Sequence, residues 1–317
     1  MVDLATIREA HARIRPHINR TPVLTSSRFD AAAGAMLFFK CENFQKVGAF
    51  KARGATNAVF SLTDDQAQRG VATHSSGNHA QALSLAAKHR GIPAYIVMPS
   101  NSARVKVNAV EGYGGSIVFC EPTQTAREET CAEVLRKTGA TMIHSFENDH
   151  VMAGQGTVGL ELVEDVPDLD LVLCPIGGGG LLSGVAVAVK SLCPGAEVIA
   201  VEPANADDAA QSFRAGRLIQ ITKPNTIADG LRTNVGAPNF AIIQRYVTDI
   251  VTVSEESIVR AMRTIWETMK MIVEPSAAVP YAAIAEGKIN VEGRRVGIIV
   301  SGGNVDLDGL PWSEPRK

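Results

Sequence analysis

Short apolar, β-branched runs alternate with longer segments of helical period along almost the whole chain. The runs at 36–41, 70–74, 94–98, 116–120, 141–145, 169–175, 197–201, 250–253 and 296–300 are expected to be strands. Several are apolar at nearly every position, as in strands covered on both faces. Between them, 80–90, 125–138, 181–192 and 255–272 read as helices. In the last, Ile258, Ala261, Met262, Ile265, Met269 and Ile272 recur at helical spacing, a stripe facing a core. This alternation predicts an α/β fold of mostly parallel sheet, with ligands at the carboxyl ends of strands. The compact series from Gly70 to about Ser145 is expected to form a smaller domain inserted in a larger one. The chain then divides into 1–66 with 148–317, the large domain, and 67–147, the small one.

A length of 317 residues suits two domains or one large one. Charged residues at 20% and apolar ones at 45% exclude a disordered tail or a collagen-like repeat. A net charge of −2 argues against a nucleic-acid partner, which calls for a concentrated basic face. The first residues mix acids and bases without a signal-type apolar core, and the most apolar stretch, 172–189, is broken by Pro175 and four glycines. No membrane partner is expected. Cys41, Cys120, Cys131, Cys174 and Cys193 contain no C-x-x-C pair and read as reduced thiols in a cytoplasmic protein. The 28 glycines change the picture most, because they are bunched.

Four clusters carry candidate chemistry. Lys51 lies between Gly48 and Gly54 in QKVGAFKARGA. A desolvated lysine amine there can form a Schiff base with an aldehyde, although a solvated lysine at a helix start looks the same. Ser75-Ser76-Gly77-Asn78 sits between a strand end and a helix, where backbone N–H groups and short polar side chains suit an anion or simply cap the helix. Gly177-Gly178-Gly179-Gly180 follows a strand and opens a helix. A turn needs one or two glycines; four make sense when backbone amides wrap a phosphate. It is neither a P-loop nor G-x-G-x-x-G. Ser301-Gly302-Gly303-Asn304 follows the last strand, where a hydroxyl can meet a ring nitrogen. Together they are the parts of a pyridoxal phosphate site.

The motifs KCENFQKVGAFKARGA, HSSGNHAQA, AGQGT, GGGG, ADGLRT, EPSAAV and SGGNVD occur in the order found in one family. The chain resembles the tryptophan synthase β-subunit-like pyridoxal phosphate enzymes. Within them it is most similar to the serine racemase and serine/threonine dehydratase branch, including the 3-hydroxyaspartate dehydratases. The resemblance spans essentially the whole chain and implies that family's fold of two mostly parallel twisted sheets flanked by helices. It implies that Lys51 carries the cofactor with Phe50 beside the ring, and that Asn78 bonds the phenolic oxygen. Gly177, Gly178, Gly179 and Gly180 then hold the phosphate, and Ser301 faces the ring nitrogen. The loop of Ser75, Ser76, Gly77 and Asn78 receives the substrate carboxylate, and Ser76 matches the acid/base serine of racemase-like members.

A serine at the ring nitrogen does not keep it protonated, which favours prompt loss of a β-leaving group. Lys51 is then the general base for the α-proton. The implied activity is dehydration of L-serine or L-threonine to a 2-oxo acid and ammonia, with 3-hydroxyaspartate dehydration or serine racemisation as alternatives. The resemblance also implies a divalent cation (Mg²⁺, Mn²⁺ or Ca²⁺) on Glu202, the Ala206 carbonyl and Asp208, a homodimer, and a nucleotide effector. Phe146 stands where animal serine racemases have asparagine, a departure toward the dehydratases. Arg232 is a candidate for a second substrate carboxylate, a solvated arginine being the alternative. The chain shows no stretch sized for an amino-acid-sensing regulatory domain. Two other classes are a non-catalytic amino-acid sensor, which has no use for a reactive lysine, and a nicotinamide dehydrogenase, whose fingerprint glycines are absent.

Overall fold

The structure is a computed structural model that describes residues 2–313. Ten strands form two sheets: β1 Val23–Leu24, β2 Met36–Cys41, β3 Val71–His74, β4 Ala94–Pro99, β5 Ser116–Cys120, β6 Thr141–Met142, β7 Leu171–Pro175, β8 Glu197–Pro203, β9 Asp249–Val253 and β10 Arg295–Val300. The larger sheet runs β1-β2-β10-β7-β8-β9 and the smaller β5-β4-β3-β6. All pairings are parallel except β1 on β2. Helices flank both sheets, and the expected α/β architecture is what forms.

Strand composition follows position. β7 is buried at every residue, because β10 and β8 pair with its edges and helices cover its faces. β5, at an edge of the smaller sheet, leaves Ser116 and Phe119 exposed. The apolar cluster around the smaller sheet also draws in Val47, Ala52, Ala55, Ala58, Val59 and Val151, so the helix Lys51–Phe60 packs toward that sheet. Among the described residues no helix is long and apolar enough to cross a membrane.

Three local expectations change. The two-residue β1 is too short to leave a pattern and exists by antiparallel pairing with β2. The run 141–145 is strand only at Thr141–Met142; after Ile143 the backbone leaves the sheet toward the ends of the other strands. The helix Glu255–Met269 closes with Lys270 in the left-handed region (φ 58°), its N–H donating to the Trp266 carbonyl at 3.0 Å. Ile272 therefore falls outside the helix, and it is 45% exposed rather than part of the stripe.

The order β2-β10-β7 controls the site. Chain segments leaving the carboxyl ends of β2, β10 and β7 are neighbours, although they are distant in sequence. The end of β3 in the smaller sheet leads into the loop at Ser75, which lines the same cleft.

Candidate functional site

The four glycine-bearing clusters meet around one cleft of about 810 Å³. Its walls include Phe50, Lys51, Ser75, Ser76, Gly77, Asn78, all four glycines of 177–180, Arg232 and Ser301. Glu202, Ala206 and Asp208 do not line it.

Lys51 opens the helix Lys51–Phe60, and its Nζ donates to the Ser145 carbonyl at 2.9 Å. Burial lowers its pKa to about 8, with Glu274 opposing the shift. The free amine is therefore accessible near neutral pH. The ammonium also lies 5.0 Å from the centre of the Phe50 ring. Phe50 N–H donates to the Ser301 carbonyl at 3.0 Å, which ties the start of this helix to the end of β10. Ser301 itself is 2% exposed.

The glycine run enters the helix Gly180–Leu192. A Cβ on Gly178 would lie 2.4 Å from Phe146 Cδ1, far inside van der Waals contact, and Gly179 has φ +89°. Side chains are excluded there on both counts. The Gly178 carbonyl accepts from Asn239 Nδ2 at 2.6 Å and from Gly236 N–H at 3.2 Å. In a trans peptide this turns the Gly179 N–H the opposite way. The first N–H groups of the helix also lack intrahelical acceptors. This is a cradle for an oxyanion, narrow and free of side chains, and it fits a phosphate.

Gly77 caps the helix Asn78–Arg90. Asn78 Nδ2 donates to both oxygens of Glu274 at 3.1 Å, and Asn78 Oδ1 accepts from Asn304 Nδ2 at 2.9 Å. Asn304 N–H donates to Glu274 Oε2 at 3.1 Å. Glu274 is 4% exposed, and burial raises its pKa to about 7 despite the Asn78 bonds. It belongs to EPSAAV, but no local feature of that motif marks its carboxylate as part of the cleft.

A second residue without a sequence signal is Arg127. It lies on the helix Gln124–Thr138 and lines the cleft beside Gln124, His74 and His144. Its Nε is buried and makes no hydrogen bond among the described residues. Arg232, by contrast, is exposed, and its Nε and Nη2 both donate to the Thr226 carbonyl, at 2.9 and 2.6 Å. Lys106 and Asp229 form an ion pair at 3.0 Å at the cleft wall, joining the helix Arg104–Gly112 to the turn Asp229–Leu231.

Glu202, the penultimate residue of β8, is nearly fully buried and accepts from Ala210 N–H at 2.6 Å. Its pKa is pushed up to about 9 by burial, with Asp208 adding to the shift. Asp208, also buried, accepts from Val235 N–H at 2.8 Å and is raised to about 6 by burial. Ala206 lies in the intervening turn Ala204–Ala206. No group of three or more His, Cys, Asp or Glu side chains suited to a metal occurs among the described residues.

The family model for "Pyridoxal-phosphate dependent enzyme" matches residues 14–302. The chain is 52% identical over 304 residues to a beta-hydroxyaspartate dehydratase of Paracoccus denitrificans (strain Pd 1222), covering 96% of each protein. It is 50% identical over 320 residues to a serine racemase of Oryza sativa subsp. indica, covering 99% of this chain and 94% of that one. Among solved structures, maize serine racemase matches with a TM-score of 0.94 at 49% identity, covering 96% of this chain and 94% of that chain. A threonine deaminase of T.th. matches with a TM-score of 0.92 at 40% identity, covering 97% of this chain and 100% of that chain. With a family model matching residues 14–302 and relatives of this kind along its whole length, the chain belongs to the pyridoxal-phosphate dependent enzyme family.

Proposed function

We propose that this enzyme dehydrates β-hydroxy-α-amino acids and that its cleft is furnished for a dicarboxylic one, 3-hydroxyaspartate, yielding oxaloacetate and ammonia. The observation that carries the substrate reading is Arg127, a guanidinium on the cleft wall whose buried Nε has no partner. A desolvated, unsatisfied donor is costly, and a second substrate carboxylate removes the cost. Serine and threonine lack that group. The similarity to a beta-hydroxyaspartate dehydratase supports the same choice. Arg232, engaged with the Thr226 carbonyl, assists at the exposed rim.

Bound pyridoxal phosphate supplies the electron sink that acidifies the substrate α-carbon. Lys51 would hold it, and the Lys51 amine would take the α-proton; the lowered pKa suits a general base near neutral pH. Phe50 packs beside the ring. Gly177, Gly178, Gly179 and Gly180 would hold the phosphate, Ser301 would meet the ring nitrogen, and Asn78, whose amide Glu274 holds, would meet the phenolic oxygen. Ser75, Ser76 and Gly77, with Asn78, receive the α-carboxylate, and Ser76 is the acid/base group on the face opposite Lys51 for D-substrates or racemisation.

Glu202, Asp208 and the Ala206 carbonyl are proposed to hold a divalent cation (Mg²⁺, Mn²⁺ or Ca²⁺), because an oxygen-only set with two buried carboxylates suits a hard ion. The division into 1–66 with 148–317 and 67–147, the homodimer, the nucleotide effector and the cytoplasmic location belong to the same reading. Sedimentation and nucleotide titration test the dimer and the effector. The decisive assay follows 2-oxo acid and ammonia from L- and D-serine, L-threonine and the 3-hydroxyaspartates, alongside the borohydride-sensitive visible band in wild type and Lys51→Ala. The proposal expects 3-hydroxyaspartate to give the highest kcat/KM and Lys51→Ala to lose the band. Binding without turnover of any substrate would make the protein a sensor and end this reading.

A further inference from the structure

Directly behind Lys51 the interior holds four charged side chains. Arg53 is 0% exposed. Its Nε donates to Glu42 Oε2 at 2.7 Å and its Nη2 to Glu42 Oε1 at 2.8 Å. The same Nη2 donates to Glu161 Oε2 at 2.8 Å, and Nη1 donates to Glu161 Oε1 at 2.8 Å and Thr157 Oγ1 at 3.1 Å. All five guanidinium N–H groups are thereby satisfied. Lys40, also 0% exposed, donates from Nζ to Glu161 Oε2 and to the Thr21 carbonyl, both at 2.8 Å. Two cations and two carboxylates balance. Such a set is a weak source of stability, since well-packed apolar residues of the same volume often serve as well or better. Its value lies in geometry.

Successive residues of an α-helix are turned by about 100°, so Lys51 and Arg53 project to nearly opposite sides of the helix Lys51–Phe60. Lys51 faces the cleft, while Arg53 is clamped between the turn after β2, which carries Glu42, and the helix Asp149–Asp165, which carries Glu161 and Thr157. On the cleft side the segment entering the helix is tied by backbone bonds, Phe50 N–H to the Ser301 carbonyl at 3.0 Å and Gly303 N–H to the Gly48 carbonyl at 2.9 Å. Within the helix, Gly54 N–H donates to Gln155 Oε1 at 3.2 Å and Asn57 Nδ2 to the His150 carbonyl at 2.7 Å. Each of these is a single bond, whereas the Arg53 fork grips two separate elements at once and so resists rotation about the helix axis most stiffly.

We propose that Arg53, held in its fork by Glu42 and Glu161, is the positioning residue that fixes the rotation of this helix and so places the Lys51 amine. This rests on the reading of Lys51 as the cofactor-bearing base. An amine about 8 Å from the helix axis moves about 1.4 Å for a rotation of roughly 10°. A displacement of that size costs on the order of 100-fold in rate. Lysine at 53 keeps the charge but offers a point donor in place of a planar fork.

The test uses the holoenzyme of Arg53→Lys, Glu42→Gln and, as a stability control, Ile265→Ala. Ile265 is fully buried on the helix Glu255–Met269, away from the cleft. Borohydride reduction and peptide mapping first locate the cofactor. For Arg53→Lys we expect the label on Lys51, a kcat lower by about 30- to 100-fold, KM within about 3-fold, and a weakened visible circular dichroism band of the bound cofactor. Glu42→Gln, which leaves the Glu161 half of the clamp, shifts kcat and the band in the same direction by less. Ile265→Ala lowers the Tm while leaving kcat and the band as in wild type. A kcat for Arg53→Lys within about 3-fold of wild type, or an unchanged band, overturns the positioning role and leaves Lys51 intact. Wild-type label elsewhere than Lys51 overturns the Lys51 reading and this inference with it. Should Arg53→Lys not fold, Glu42→Gln decides by the same two readouts.

Discussion

Replacing Arg127 by glutamine tests the substrate reading most directly. The change keeps a polar, though shorter, side chain and removes the charge on the cleft wall beside His74 and His144. Arg127 Nε is buried and unpartnered among the described residues, so on the proposed reading a substrate carboxylate would meet a donor already withdrawn from water. A hydrogen bond to a charged group contributes about 1.5–3 kcal/mol, and the full contact is taken here as about 3 kcal/mol. At 1.36 kcal/mol per decade this is roughly 150-fold in kcat/KM. Serine has no second carboxylate, so its kcat/KM should change by less than about 3-fold, or rise slightly as an unsatisfied donor disappears. The assay is 2-oxo acid formation from L-serine and 3-hydroxyaspartate at matched pH, with the cofactor band confirming that the variant is loaded. Equal losses on both substrates would refute the reasoning, since they would mean that Arg127 supports the fold or cofactor rather than the distal carboxylate.

Three further outcomes follow from the geometry. Gly178→Ala drives a methyl to 2.4 Å from Phe146 Cδ1 and should destabilise the protein by about 1–3 kcal/mol and weaken pyridoxal phosphate retention, measured by thermal melting and cofactor titration. Glu274 has a folded pKa of about 7, raised by burial from 4.5. Its contribution to the stability of the apo-protein is therefore present below about pH 4.5 and lost as pH rises through 7, a difference of order 3 kcal/mol. Glu274→Gln should flatten the Tm profile across that window, and an unchanged slope would count against the assignment. Chelation should lower the Tm of wild type but not that of Glu202→Gln or Asp208→Asn. It should also weaken cofactor retention, because Asp208 holds Val235 N–H and the adjoining Gly236 N–H holds the Gly178 carbonyl.

The strands that define the cleft were legible because parallel strands buried on both faces read as unbroken apolar runs, and β7 and β10 are buried along almost all their length. The glycine run was legible for a related reason, since four side-chain-free residues at a strand–helix junction serve no ordinary turn. Glu274 and Arg127 were not. Glu274 reaches Asn78 across 196 residues of sequence, and a single carboxylate before a proline resembles any helix cap. Arg127 sits among Gln124, Glu128 and Glu129 on a polar helix, where a solvated face is the natural reading. The buried Arg53 clamp was equally hidden, because only the tertiary fold brings Glu42 and Glu161 to the same guanidinium. Ile272 failed for a local reason: Lys270 in the left-handed region ends the helix before the apolar period does.

The tenth strand in chain order, β10, lies between β2 and β7, pairing with six residues of one and three of the other. During synthesis β2 and β7 emerge long before it and have no direct neighbour in each other. A nascent chain therefore carries two open strand edges until residue 300 has left the ribosome, and such edges invite wrong pairing. Lys51 and the glycine run remain unaligned through that interval, so on the proposed reading cofactor capture should follow translation. Chains terminated before that strand keep all four glycines of 177–180, yet they lack the strand that lines the run up with Lys51 and should be cleared by proteolysis rather than loaded.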